Sequence, residues 1–437
     1  MQTDTGLRME SFAPGYVDAD PSAADTRTTN WFEAVRLGFH EHRADPAQLP
    51  AMVDAYRRDG RVLTAVYDDA APDFAWDASV PVGTYATMVN TLNVGGGQLL
   101  PAHLVTCVTV RPTHRRRGIL RRMITTDLVR AKESGLALAA LTASEATIYG
   151  RFGFGAASSA SSITVDVRDG LPFRTAATGT AVIADSAKLQ ELAPEIFRVH
   201  QARTPGALGR QYAYALRASG AWSEHSSEPD KALRSIIHYD AAGVPDGYAT
   251  YKFKGWDTQP ETIKVVDLIA ATDEAYRELW RCLGSIDLVD RLTFDVAPVS
   301  DPLPWMLADR RRHRVTGVED VLWLRILDTA AALEARHYTG SGAVVLSVVD
   351  PLGLAGGVWQ VNADGGRGTV TALAGDQAPS GIPSVELDAD ALGSLYLGGV
   401  SARTLAAAGG IRGSAEALDT LNVLFTAPTM PYCNTHF

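Results

Sequence analysis

From residue 61 onward, hydrophobic positions follow two alternating periods. Arg61-Val-Leu-Thr-Ala-Val-Tyr67 and Pro81 to Asn90 (PVGTYATMVN) are apolar, strand-like runs. His103 to Val110 (HLVTCVTV) is a third, rich in β-branched residues. The period then changes. In RPTHRRRGILRRMITTDLVRAKESG, Leu120, Ile124, Leu128 and Ala131 recur every three to four residues, a helical stripe. Ser134-Gly135 closes it, with glycine suited to the left-handed position past a helix end. LALAALTA reads as a buried strand, followed by a short helix from Ser144 to about Arg151 and then Phe152-Gly-Phe154. Strand and helix alternating in this way predict a mixed α/β unit over residues 30–160.

The pattern restarts near residue 168 with the turn-rich RDGLPFRTAATGTA. GYATYKFKG is a strand candidate, and IKVVDLIAATDEAYRELWRCLG repeats the strand-loop-helix outline of residues 105–135. The repetition suggests a duplicated domain. A third unit begins near 321. VLWLRILD leads into a helix over LDTAAALEARHY, a glycine-rich β-like stretch and a helical DADALGSLYLGG. The expected domains are 1–165, 166–325 and 326–437. The first ~28 residues read as a polar, partly disordered lead-in with no signal-peptide pattern. The chain ends on MPYCNTHF, apolar where most chains end in polar, mobile residues.

A length of 437 residues fits about three domains of roughly 150 residues. No apolar run reaches the ~20 residues a membrane span needs, so no membrane partner and a cytoplasmic location are expected. Cys107, Cys282 and Cys433 are far apart and form no CxxC pair, which suggests neither a disulfide framework nor a zinc site. The formal net charge of -10 argues against a general nucleic-acid binder and mildly favours cationic ligands.

The strongest local chemistry lies in Val108-Thr-Val-Arg-Pro-Thr-His-Arg-Arg-Arg-Gly-Ile-Leu120. A strand ends at Val110, a loop turns at Arg111-Pro112, and a helix starts near Gly118. A helix start offers unpaired N–H groups and the positive end of its dipole, a ready anion site. Gly118 lets the backbone approach closely. Arg115, Arg116 and Arg117 add guanidinium groups that fork onto phosphate oxygens. The block reads as a pyrophosphate cradle, with a solvated face or a nucleic-acid contact as the other readings of three arginines. No Gly-Lys-Ser/Thr follows, so it is not a P-loop, and there is no GxGxxG turn.

This block resembles motif A of the GNAT acetyltransferases, Gln/Arg-x-x-Gly-x-Gly/Ala after a strand. Arg115 and Gly118 match, and Leu120 departs from the usual small residue. Ser144-Glu-Ala-Thr-Ile-Tyr-Gly-Arg-Phe-Gly-Phe154 is similar to the second element of that family. More narrowly, the chain resembles the Eis (enhanced intracellular survival) aminoglycoside acetyltransferases. It carries Pro112-Thr-His-Arg-Arg-Arg-Gly118, Ala143-Ser-Glu145, Ile148-Tyr-Gly-Arg-Phe-Gly153, Asp301-Pro-Leu-Pro304, Leu322-Trp-Leu-Arg-Ile326, Ala332-Leu-Glu-Ala-Arg336 and Leu392-Gly-Ser-Leu-Tyr-Leu-Gly398. The resemblance implies a catalytic GNAT domain, a degenerate GNAT-like domain, a sterol-carrier-protein-like C-terminal domain and a homohexamer.

It also implies acetyl-CoA as cosubstrate. The backbone of Val108, Thr109 and Val110 would pair with the pantetheine arm. Arg116, Arg117, Gly118, Ile119, Leu120 and Arg121 would hold the pyrophosphate through main-chain N–H groups, with Arg115 before them and Ser144 and Glu145 alongside. Tyr149 matches the family's proton donor to sulfur, and the terminal carboxylate of Phe437 its base. Phe39, Glu41 and His436 would line the amine pocket. Cys107 stands where a relative has an aromatic ring and His436 where it has an acid, which implies a pocket less acidic or differently shaped. His40 and His42 flank Glu41, but no further ligand cluster accompanies them, so no metal is expected. The second unit has the acidic Ala270-Ala-Thr-Asp-Glu-Ala275 in place of a cradle, so one CoA site per chain is expected. The implied acceptors are cationic amines, aminoglycosides first. Protein lysines, peptides or polyamines are the alternative, and a lipid-binding scaffold is the non-enzyme one.

Overall fold

Apolar runs that are buried on both faces, and one crossover helix, generate most of the first sheet. The computed structural model describes residues 6–18, 20–70, 72–374 and 379–437. In spatial order the sheet is Leu7–Phe12, Val62–Asp68, Gly83–Asn93, Leu99–Val110, Leu138–Thr142, Leu322–Ile326 and Gly155–Ala156. The first four strands are antiparallel. The helix Ile119–Glu133 then returns the chain to a parallel strand, burying Ile119, Met123, Ile124, Leu128 and Ala131. Each of the four larger side chains contributes about 1.5–3 kcal/mol on leaving water.

The N-terminal stretch departs from the expected lead-in. Leu7–Phe12 is an edge strand paired to Val62–Asp68. Leu7 and Met9 pack on one core and Phe12 joins a second. Arg8 and Glu10 pair with each other at 3.1 Å, and Arg8 covers the Tyr67 ring. The charges masked a period-two alternation that only the partner strand makes useful.

The second sheet runs Thr180–Ala184, Arg234–Tyr239, Pro245–Phe253, Thr262–Ala270, Arg291–Pro298, Ser159–Asp166 and His313–Asp320. The expected boundaries at 165 and 325 therefore fall inside strands. Ser159–Asp166 pairs in the second sheet, and Leu322–Ile326 returns to pair with Leu138–Thr142 in the first. The two sheets exchange strands because an apolar run does not say which sheet it will join. Arg325, on the returning strand, is fully buried. It bonds Asp350 of the third unit at 2.6 Å and its neighbour Ile326 O at 2.8 Å. Removing one member of such a pair strands a buried charge, at about 3–5 kcal/mol.

Both sheets share a device. Leu99–Val110 and Leu138–Thr142 are parallel neighbours only over Ala102–Val105 and Leu138–Leu141. Thr262–Ala270 and Arg291–Pro298 are paired only over Thr262–Val265 and Arg291–Phe294. In each sheet the splaying strand carries a bulge against its antiparallel neighbour, at Cys107–Val108 and at Val266. A bulge bends the strand that carries it, and past each one the parallel pair parts into a cleft.

The third unit is a five-stranded sheet, Arg367–Ala372, Gly357–Asp364, Gly342–Val349, Ser384–Asp388 and Ile411–Gly413. Its core is continuous with the first domain, joining Leu104 and Leu138 to Leu346, Leu392 and Phe425. Tyr338, Tyr396 and Phe425 fill its interior, with the Arg336 guanidinium 4.6 Å from the Tyr338 ring and 4.2 Å from Phe425.

Candidate active site

The loop after Leu99–Val110 builds the cradle. Pro112–His114 forms a single 3-10 turn, Arg116 has φ +64°, and Gly118 caps the following helix at φ +78°. No side chain caps this helix, and its first backbone bond is Arg122 N–H to Gly118 O. The amides of Ile119, Leu120 and Arg121 therefore face outward without a helical partner. Arg115, Arg116, Gly118 and Arg121 are exposed. Arg117 bonds Asp68 at 3.0 Å, and His114 Nε2 lies at 3.0 Å from the same carboxylate. The Arg117 side chain is thus committed to the loop, and its guanidinium holds Asp68 below the usual carboxylate range. An uncapped, cationic helix start fits a diphosphate.

Among the described residues, the strand has no paired neighbour on its cleft side from Thr106 to Val110. Thr109 Oγ1 contacts Thr84 Oγ1 at 2.7 Å, while Val108 and Val110 pack on the core. Across the cleft, Leu138–Thr142 leads through the exposed Ser144 and Glu145 into the helix Ala146–Tyr149. Tyr149 is 7% exposed and stacks edge-on to Phe154. Burial, then the nearby Glu145 charge, pushes its phenol up to about 12. Among the described residues its hydroxyl has no hydrogen-bond partner.

The C-terminal tail is docked along most of its length. Residues 431–435 are buried. Tyr432 N–H donates to Pro205 O at 2.8 Å, and its hydroxyl donates to Val296 O, where the second pair of strands parts. Gly206, at φ +85°, admits the tail: a Cβ there would press on Pro431 and Tyr432 at 3.0–3.1 Å. Thr435 Oγ1 donates to Leu208 O at 3.0 Å. Tyr214 then clasps the penultimate residue. Its Oη accepts from His436 N–H at 2.7 Å and donates to His436 O at 3.2 Å. Arg210 stacks on the Tyr214 ring and is itself fixed by two bonds to Asp267, at 2.6 and 2.9 Å. Finally Thr142 Oγ1 donates to Phe437 O at 3.3 Å. The chain end is thereby fastened to the strand that leads to Tyr149.

His436 and Phe437 line a cavity of about 340 Å³ between the first two domains. Its walls include Tyr56, Arg61, Cys107, Arg217 and Trp222. Cys107, in the left-handed region at φ +51°, turns its thiol to within 3.7 Å of Tyr56 Oη. Desolvation by the cavity walls, then Arg210, lowers the His436 imidazole below its ordinary value. It is neutral at pH 7.

Residues 22–157 and 206–326 each match an acetyltransferase (GNAT) domain family, and residues 329–434 match a sterol carrier protein domain. The chain is 37% identical to the N-acetyltransferase Eis of Mycobacterium tuberculosis over 81% of its length and 83% of the relative's. It is 34% identical to an uncharacterized N-acetyltransferase of Streptomyces avermitilis, over 97% of this chain and 99% of that one. The crystal structure of Eis1 from Mycobacterium abscessus superposes with a TM-score of 0.76 at 31% identity, covering 93% of this chain and 96% of the other. The chain belongs to the Eis family of GNAT acetyltransferases. The GNAT family uses acetyl-CoA.

Within this Eis-family chain, the expected site residues fall into two groups. His436 and Phe437 line the cavity, the strand edge Val108 to Val110 runs from its wall at Cys107 into the cradle loop, and Tyr149 follows on from Thr142, which holds Phe437. Phe39 and Glu41 stand apart. Phe39 caps the helix Thr26–Gly38 and is 43% exposed. Glu41 is exposed and reaches Arg36 at 3.7 Å. Arg36, and not Glu41, lines the cavity. Sequence reading missed Tyr56, Arg61, Tyr214, Arg217 and Trp222. Three of these come from the second domain, and no local motif marks them. Among the described residues, no group of three His, Cys, Asp or Glu is placed to hold a metal ion. No described helix is long and apolar enough to cross a membrane.

Proposed function

We propose that the protein transfers acetyl from acetyl-CoA to a primary amine by direct attack. The observation that carries this reading is the cavity: His436 and Phe437 line it together with Cys107, on the strand whose edge faces the cleft, and Thr142 holds Phe437 O. An α-carboxyl has an ordinary pKa of roughly 3.3–3.7 and is ionised at neutral pH. The Phe437 carboxylate takes the proton that the amine loses as its nitrogen bonds the acetyl carbon. The thioester, when bound, supplies the acetyl group. Tyr149 keeps its proton at pH 7 and gives it to the sulfur as the C–S bond breaks. The tyrosinate recovers a proton from solvent, and the carboxylate releases its own. Backbone amides of residues 116–121 hold the diphosphate, and the edge of Val108 to Val110 holds the pantetheine arm.

Aminoglycoside amines are the acceptors that the resemblance to characterised Eis enzymes favours, with polyamines and protein lysines as the other class. The test is CoA thiol release by purified full-length protein across a panel of amines, with the acetylated nitrogens mapped by NMR. Thiol release matched by an N-acetyl product is expected. Acetyl-CoA binding without release on any amine would overturn the proposal.

A further inference from the structure

His436, the last residue before the chain end, carries a titratable ring that the mechanism above does not use. It is held through its backbone alone. Tyr214 Oη lies 2.7 Å from its N–H and 3.2 Å from its carbonyl oxygen. Among the described residues its imidazole makes no hydrogen bond. Nor is the ring sealed in. Residues 431–435 are buried, and exposure returns at His436. It lines the cavity it shares with Phe437 and also an adjoining one of about 230 Å³. That second cavity lies where Thr262–Ala270 and Arg291–Pro298 part. His436 therefore has the chain end on one side and a second, open space on the other.

The charged groups that face the ring are engaged with one another. From the second domain, Asp267 holds Arg210 at 2.6 Å, while Glu224 and Asp295 share Lys264 at 3.3 and 3.7 Å. From the first, Asp59 receives Arg61 Nε at 3.2 Å, and Arg36 reaches Glu41. Arg217, on the helix Tyr212–Ala218, lines both cavities with His436, and His225 lines the first from the loop after that helix. Among the described residues none of these groups forms an ion pair with His436. The ring is left as a neutral base beside a carboxylate. An α-carboxyl has an ordinary pKa of roughly 3.3–3.7 and an imidazole one of about 6.5. Desolvation narrows that gap from the imidazole side. A base closer to the working pH is the better proton acceptor.

We infer that His436 is a further proton-transfer residue of the reaction: the proton that the Phe437 carboxylate takes from the amine passes to one imidazole nitrogen, and the other nitrogen releases a proton to solvent in the second cavity. This rests on the acetyltransferase reading above and supplies the exit that its proton needs. The carboxylate and the neutral ring are both restored, and one proton reaches solvent for each amine acetylated.

The test compares wild type, His436→Gln and His436→Ala as full-length proteins. N-acetyl product formation is read at saturating acetyl-CoA and amine. At pH 7 both variants should lose about tenfold to a hundredfold in kcat. That is the low end of what a proton-transfer group supplies, because the carboxylate can still release its proton to water. Acetyl-CoA binding by calorimetry should not change. In the wild type, kcat should fall in acid as the ring gains its proton, with a midpoint below the ordinary 6.5 because the folded protein lowers it. His436→Gln should lack that fall. Free imidazole in solution should restore His436→Ala several-fold and leave the wild type unchanged, a rescue that a packing role does not predict. Variants with wild-type kcat would overturn the inference and leave the transferase reading standing. So would a loss of kcat in His436→Gln that keeps the acid fall. No acetylated amine from the wild type would remove the transferase reading, and this inference with it.

Discussion

The two GNAT domains use one plan and end with opposite surfaces. Each has a bulged strand, a parallel neighbour that parts from it, and a crossover helix at the strand's end. In the first, the helix start is uncapped, cationic and led by Gly118. In the second, Thr272 Oγ1 accepts from Ala275 N–H at 3.0 Å, and Asp273 and Glu274 fill the first turn. Those features satisfy the helix start from within and repel an anion. The clefts differ too. The first is open along Thr106 to Val110, while the second receives Tyr432 of the tail. The difference teaches how a duplicated fold is put to use: one copy keeps an open, cationic helix start, and the other becomes a track that carries the chain end to Thr142 and the cavity beside it.

The sharpest way to break this comparison is to move the chain end. A few residues added after Phe437 displace the carboxylate and leave the cradle untouched. We expect kcat to fall by about 10²–10⁴, the range of general acid–base catalysis, with acetyl-CoA binding unchanged by calorimetry. A tagged enzyme of full activity would leave Phe437 as packing only. Tyr149→Phe tests the acid on the other side of the cleft. It should lower kcat about a hundredfold at unchanged KM for acetyl-CoA. In the wild type, a phenol near 12 stays protonated through pH 10 and is lost as an acid only when pH rises through that value. An alkaline fall in kcat centred near 9 that vanishes in Tyr149→Phe would contradict this. Gly118→Ala acts on the cradle alone. No atom lies within 4 Å of the added Cβ, so only the left-handed φ of +78° resists it. Strain of about 1–2 kcal/mol should weaken acetyl-CoA binding roughly fivefold to thirtyfold, while kcat at saturation stays near wild type.

The strand, loop and helix start of the proposed cradle were legible in the sequence because all of them are local. Strand, loop, glycine and helix start follow one another within Val108 to Arg121, and Tyr149 sits in a second short motif. The cavity was not legible, for physical reasons. Its walls come from elements more than a hundred residues apart, and Arg217 sits on a helix, Tyr212–Ala218, with nothing unusual in its spacing. Phe39 and Glu41 fell outside the cavity because both lie past the last residue of the helix Thr26–Gly38, where the helical repeat no longer sets the direction of a side chain. The strand exchange was hidden in the same way. Leu322–Ile326 has the composition of a buried strand, and only the pairing with Leu138–Thr142 assigns its sheet.

The remaining two predictions concern the second domain as a track. Tyr214→Phe keeps the ring on Arg210 but removes both bonds to His436. At about 1 kcal/mol net for such a bond, kcat should fall roughly fivefold, with KM for acetyl-CoA unmoved. A fall in thermal stability with kcat unchanged would instead make Tyr214 a packing residue. Thr272→Ala then asks whether the second helix start is only a helix start. Losing the cap costs about 0.5–2 kcal/mol of stability, read as a lower midpoint in denaturant. Removing one cap does not remove Asp273 and Glu274, which still repel an anion, and Tyr432 still occupies the cleft. Acetyl-CoA should therefore bind at one site per chain in both proteins, and turnover should not change. A second equivalent of acetyl-CoA bound by Thr272→Ala would mean that the cap alone separates the two domains, and that the tail is no barrier.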